Sequence, residues 1–124
     1  MEQINKELLL RDLCARLPYG VKIQVPYENG SGYFDETVWE VNNDGPFHVN
    51  GWGIEYEYIK PYLFPLSSMT KEQENEYQYI TERWMYDPSY SISDSTDWLN
   101  KNHFDYRGLI EKGLAIDATG LNIY

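Results

Sequence analysis

Cysteine is almost missing from this chain: Cys14 stands alone among 124 residues. No intramolecular disulfide can form, so stability has to come from a core, and a chain of this length can bury one. Histidine is as scarce. His48 and His103 are the only two and lie fifty-five positions apart, which is no spacing for a transition-metal site. Long apolar runs are absent as well. The start, MEQINKELLLRDL, is charged from its second residue, and its longest apolar run is Leu8 to Leu10. That excludes a signal-peptide core and a membrane span there, and a cytoplasmic location is expected. Finally, no Lys or Arg occurs between Lys22 and Lys60. Glu28, Asp35, Glu36, Glu40, Asp44, Glu55 and Glu57 all fall in that interval, within a chain of net charge −10. Such a segment repels phosphate backbones and anionic lipid, and it suits a basic protein partner.

What the chain has in excess is aromatic surface. Twelve Tyr and four Trp supply large apolar faces with polar handles, useful in cores and interfaces alike.

The periodicity predicts one α+β domain over 1–124: an N-terminal helical part (1–20), an antiparallel sheet (21–60) and a helical part (61–124). Ile4, Leu10, Leu13, Cys14 and Leu17 mark the expected inner face of a helix over 3–17, with Leu9 widening it. Lys6, Glu7, Arg11, Asp12 and Arg16 fall on the expected outer side. On this reading Cys14 is a small buried hydrophobe. Leu17-Pro18-Tyr19-Gly20 ends the helix. VKIQVPY (21–27) and YFDETVWEV (33–41) alternate as strands around an Asn29-Gly30 turn. After NNDGP, FHVNGWGIEYEYI (47–59) reads as one bent strand or two short ones, turning near Gly51 and Gly53. The whole is a β-meander or an SH3-like partial barrel. KPYLFPLSSM (60–69) is a stiff, packed connector. Thr70-Lys71-Glu72-Gln73 is a capping box opening a central helix whose inner stripe is Tyr77, Ile80 and Trp84, with Met85 beside it. Trp98 and Leu99 face inward on a short helix. Asp105 is placed to cap a second one, YRGLIEKG, completing a C-terminal helical hairpin. LAIDATGLNIY is apolar enough to dock as a tail or strand.

HFDYRG (103–108) gathers side chains that active sites favour. Each also has an ordinary structural role open to it. Asp105 can cap, Arg107 can pair with a distant carboxylate, Tyr106 can fill partial core, and His103 and Asn102 can form the turn. The serines lack the G-x-S-x-G elbow, and GWG and NGSG open no phosphate-binding helix. Glu55 and Glu57 share one face of a strand, as glycoside hydrolysis would require, but solvated strand faces read the same way.

The stretches LLLRDLCARLPYGVKIQV, IKPYLFPLSSMTKEQ and DWLNKNHFDYRGLIEKGLAI together resemble a family of short uncharacterised proteins of gut Bacteroides-type bacteria, their phages and other mobile elements. The resemblance covers both ends and the proline connector. It brings no activity, cofactor or catalytic residue. It implies a cytosolic accessory protein of mobile-element origin.

The expected function is therefore a non-catalytic protein-interaction module, with no cofactor, metal or catalytic residues. Its candidate surface is Tyr33, Trp39, Glu40, Trp52, Glu55, Tyr56, Glu57 and Tyr58, and its partner a protein, favourably a basic one. The sharper alternative is an acidic mimic of DNA that occupies a nucleic-acid enzyme. A second is a small hydrolase using His103, Asp105 and Arg107, or Glu55 and Glu57. Direct nucleic-acid binding through the hairpin has only Lys101, Arg107 and Lys112 to draw on.

Overall fold

Leu9, Asp12, Leu13 and Arg16 are the buried residues of the first helix, α1 (Gln3–Arg16). Their spacing is that of one helical face, but two of the four are charged. The computed structural model describes residues 2–42, 48–53 and 58–124, with backbone alone at 52 and 53. Asp12 and Arg16 are fully buried, whereas Ile4 and Cys14 are exposed. The helix is thus rotated from the orientation its apolar residues suggest. Cys14 is not a core residue, although partial burial still raises its thiol pKa.

Among the described residues seven short strands follow the sequence as β1 (Lys22–Pro26), β2 (Tyr33–Thr37), β3 (Val41–Asn42), β4 (His48–Val49), β5 (Trp52–Gly53), β6 (Lys60–Leu63) and β7 (Ile116–Asp117). The larger sheet has the order β2-β1-β6-β7. Its first two pairings are antiparallel and β6 with β7 is parallel. Val21, Ile23 and Val25 turn to the core with Val38, Ile59 and Leu63, and α1 contributes Leu9 and Leu13 to the same cluster. The β1–β2 hairpin turns through Asn29-Gly30, with Gly30 at a φ of 72°. β3, β4 and β5 form a separate small sheet. Asn50 and Gly51, with φ of 53° and 79°, make its two-residue turn, the conformation that Asn-Gly favours between twisted strands. The segment 47–59 is therefore two short strands and not one, so far as it lies within the described residues.

The supposed connector 60–69 is the largest departure. Its first four residues are an interior strand, with Pro61, Tyr62 and Leu63 buried. Proline is tolerated there because alternate residues of β6 bond to opposite neighbours. Tyr62 faces β1, and Leu63 accepts from the Ala118 N–H on the β7 side. The missing Pro61 N–H falls on the β7 side, ahead of the first β7 residue.

Two further helices complete the fold. α2 (Lys71–Arg83) opens with the expected capping box, in which Thr70 and Gln73 bond reciprocally at 3.1 and 2.9 Å. Tyr77 and Ile80 pack on a second cluster of Trp98, Leu99 and Phe104, but Trp84 and Met85 are exposed. The inner stripe of α2 therefore ends a turn early. α3 (Ser93–Lys101) buries Trp98, Leu99 and Asn100. Residues 106–113 form successive turns and not a second helix; Gly108 and Gly113, both at a φ of 74°, supply left-handed corners. Among the described residues the chain is a mixed α+β fold of three α-helices and a mainly antiparallel sheet. Among the described residues no helix is long and apolar enough to cross a membrane.

Tyr124 closes the structure. The Lys22 N–H and the Tyr62 carbonyl face each other across β1 and β6, yet they do not bond directly. The Tyr124 hydroxyl sits between them, accepting from the Lys22 N–H at 2.9 Å and donating to the Tyr62 carbonyl at 2.8 Å. The ring stacks on His103 at 4.0 Å and touches Phe64. Burial pushes the phenol pKa up to about 12. Tyr124→Phe keeps the stack and strips the bridge, and should cost about 1–2 kcal/mol in urea unfolding. An unchanged midpoint would mean that water replaces the hydroxyl without loss.

Candidate interaction surface

The HFDYRG segment is tied into the fold by its backbone and by Asp105 and Arg107. Phe64 donates its N–H to the His103 carbonyl and accepts from the Asp105 N–H, both at 2.8 Å. The segment is thereby stitched to the end of β6. The two Asp105 carboxylate oxygens accept from the N–H groups of Leu109 and Ile110 at 2.8 and 2.9 Å. Asp105 thus caps a turn, in place of the helix expected. Arg107 donates to Asp12 at 2.8 Å, and Arg16 donates to the other Asp12 oxygen at 2.9 Å. Arg16 also reaches the Phe104 carbonyl at 2.6 Å. The Arg16 and Arg107 guanidinium groups lie over the Tyr106 ring, at 5.5 and 4.5 Å, an arrangement that the negative face of the ring stabilises. Asp12 thus ties α1 to the turn segment across ninety-five positions of sequence.

His103 has a φ of 60° and is buried beneath Tyr124. Its Nδ1 has no hydrogen-bond partner among the described residues. Burial, and then the positive charge of Arg16, lower its pKa to about 4. It lines a cavity of about 420 Å³ together with Phe64, Lys101 and Tyr124, but Asp105 and Arg107 do not. This cavity does not bring together the trio expected of a hydrolase. The Glu55/Glu57 pair lies outside the described residues. Among the described residues no group of three His, Cys, Asp or Glu is disposed to hold a metal ion.

The acidic, aromatic surface is built differently. Tyr33, Asp35 and Thr37 occupy the exposed face of β2. Tyr33 is 62% exposed, Trp39 63% and Tyr58 56%. Trp39 and Glu40 sit at a corner where the chain leaves the larger sheet for the smaller one. Asn50, itself buried, organises this corner. Its Oδ1 accepts from the N–H of Trp39 at 2.7 Å and of Glu40 at 3.0 Å, its Nδ2 donates to the Thr37 carbonyl at 2.8 Å, and its own N–H donates to the Glu40 carbonyl. Every backbone polar group it satisfies would otherwise need water. The backbone at Trp39 is therefore fixed while its indole faces solvent. Sequence reasoning passed over Asn50; the Asn50-Gly51 pair was the available signal, since it marks a tight hairpin. Trp52 lies in β5 next to this corner in the chain, and Glu55, Tyr56 and Glu57 lie outside the described residues.

Asp35 carries one further contact. Tyr62 donates its hydroxyl to Asp35 Oδ1 and accepts from Gln24 at 3.3 Å, a polar ladder across β6, β1 and β2. No protein-family model, curated protein or solved structure matches the chain.

Proposed function

We propose that this protein is a non-catalytic interaction module, a cytoplasmic accessory protein that binds a basic protein partner through the surface around Tyr33, Trp39, Glu40 and Tyr58. The observation that carries this reading is Trp39: an indole left in solvent on a backbone locked by Asn50. Exposed aromatics on rigid supports are the usual anchors of interfaces, because little conformational freedom is lost when they are covered. The surroundings are acidic and without Lys or Arg from 23 to 59, which selects for a cationic partner. On the same reading the strands curl in an SH3-like manner and the protein serves an accessory role of mobile-element origin.

A mimic of DNA would need carboxylates along one face, whereas β2 turns Asp35 and Glu36 to opposite sides. Nucleic-acid binding by the C-terminal segment loses Arg107 to its bond with Asp12, leaving Lys101 and Lys112.

Affinity capture from nuclease-treated lysate, comparing the native chain with Trp39→Ala and Trp84→Ala, tests the proposal. The expected result is a protein retained at low salt, weakened at moderate salt, and lost at least tenfold with Trp39→Ala alone. Capture indifferent to Trp39, or dependent on nucleic acid, would overturn it.

A further inference from the structure

Among the described residues β2 is an edge strand, and its hydrogen-bonding parity decides what its edge offers. Val38 donates to the Val21 carbonyl and Tyr27 to the Gly32 carbonyl. With the register of Lys22 opposite Thr37 and Gln24 opposite Asp35, the even-numbered residues of β2 bond to β1. The odd-numbered ones direct their N–H and C=O groups the other way. Among the described residues no strand lies on that side. Asn50 takes the Thr37 carbonyl. Among the described residues the N–H and C=O of Tyr33, the N–H and C=O of Asp35, and the N–H of Thr37 remain: five groups in a row, beside exposed side chains.

We propose that this edge binds an extended, cationic segment of the partner by strand addition, with Lys or Arg opposite Asp35. The proposal rests on the interaction reading above and specifies its mode. Two observations fix the occupant. First, Asp35 Oδ2 has no partner among the described residues, while Tyr62 holds Oδ1. The nearby cation Lys22 is turned to the Ile123 carbonyl at 2.9 Å. An incoming Lys or Arg therefore meets an unneutralised carboxylate. Second, a second copy of this chain is a poor occupant. The symmetric antiparallel self-pairing along these groups places Asp35 opposite Asp35, and like charges directly opposed destabilise a sheet pair. A foreign basic strand meets no such opposition, and strand addition draws affinity from the main chain while alternate side chains give selectivity.

The parity also supplies the test. Thr37→Pro removes an outward N–H and no bond to β1, so the hairpin survives it. Asp35→Asn removes charge alone. The probe is a synthetic peptide of about ten residues alternating Lys and Val, with a Glu/Val peptide and a Lys/Val peptide N-methylated on the backbone of each Lys as comparators. Amide hydrogen exchange and chemical shifts of the full chain are followed by NMR. The expected result is slowed exchange at Tyr33, Asp35 and Thr37 with Lys/Val only, and affinity at least tenfold weaker in Thr37→Pro and in Asp35→Asn. Equal binding of the N-methylated peptide, which keeps the charge but lacks the lysine backbone N–H groups that a ladder needs, would overturn strand addition in favour of charge alone. Slowed exchange at these amides without peptide, rising with protein concentration, would assign the edge to a second copy. A captured partner that depends on Trp39 but leaves these three amides unprotected would refute this mode and leave the interaction reading standing. Loss of Trp39-dependent capture would remove the reading itself.

Discussion

Asp12→Ala is expected to cost about 3–5 kcal/mol of folding stability, because it leaves two arginines facing each other over Tyr106 with no anion between them. Native domains are stable by only about 5–15 kcal/mol, so the variant should be close to unfolding at ordinary temperature. The size of the effect comes from burial. The Asp12 and Arg16 side chains have no exposed area, and a charge stranded there cannot recover its hydration. Arg107 retains 16% exposure, so Arg107→Ala should cost less, on the order of 1–2 kcal/mol. Urea unfolding of the three proteins gives the ordering. A loss below about 1 kcal/mol for Asp12→Ala would mean that water enters and that the network is not buried in solution. Replacing the pair together, Asp12→Leu with Arg16→Met, is expected to be milder than Asp12→Ala, since well-packed apolar groups often replace a buried ion pair at little cost. The Arg16 bond to the Phe104 carbonyl would still be lost.

The same network explains where sequence reading worked and where it did not. The β1–β2 hairpin was legible because Val21, Ile23 and Val25 alternate cleanly and Asn29-Gly30 punctuates them. The capping box at Thr70 was legible because its four residues are local. The pairing of Arg107 with a distant carboxylate could be anticipated as a kind of contact, but its partner could not. Asp12 sits on a helix face that composition assigns to solvent, and only the turn segment ninety-five residues later makes burial tolerable. The Asp105 cap was visible as a residue type, yet the expected helix after it fails: Gly108 adopts a left-handed φ and Asp105 itself gathers the amides of Leu109 and Ile110. β6 was hidden by its prolines. Pro61 argues against an interior strand until the parity of its neighbours and the short reach of β7 are known. Of the candidate surface, exposure at Tyr33 agrees with alternation along β2, whereas Trp39 and Tyr58, also exposed, lie outside the strands. The rigidity of Trp39 depends on Asn50, whose side chain turns back across the hairpin in a way no local pattern reveals.

Acidification should destabilise the protein well before its carboxylates titrate, and His103 is the cause. The imidazole has an ordinary pKa of 6.5, lowered to about 4 in the fold by burial and then by Arg16, against a hydrogen bond to the Tyr19 backbone that works the other way. Above pH 6.5 the group is neutral in both states and its contribution to stability is fully present. Between pH 6.5 and 4 the unfolded chain takes up a proton that the folded chain refuses, so stability falls as pH falls. The loss is about 2 kcal/mol by about pH 5 and on the order of 3 kcal/mol by about pH 4. His103→Asn is the informative control. Asn tolerates a positive φ better than most residues, and it does not titrate. Urea midpoints at several pH values from about 7.5 to about 4.5 should fall steeply for the native chain and much less for the variant. Parallel slopes for the two proteins would mean that the imidazole stays hydrated in the fold and that the Tyr124 stack does not exclude water from it. A slope confined to the native chain would instead make the His103–Tyr124 stack the acid-labile closure of the structure, with loss of the Tyr124 bridge between β1 and β6 as its first consequence.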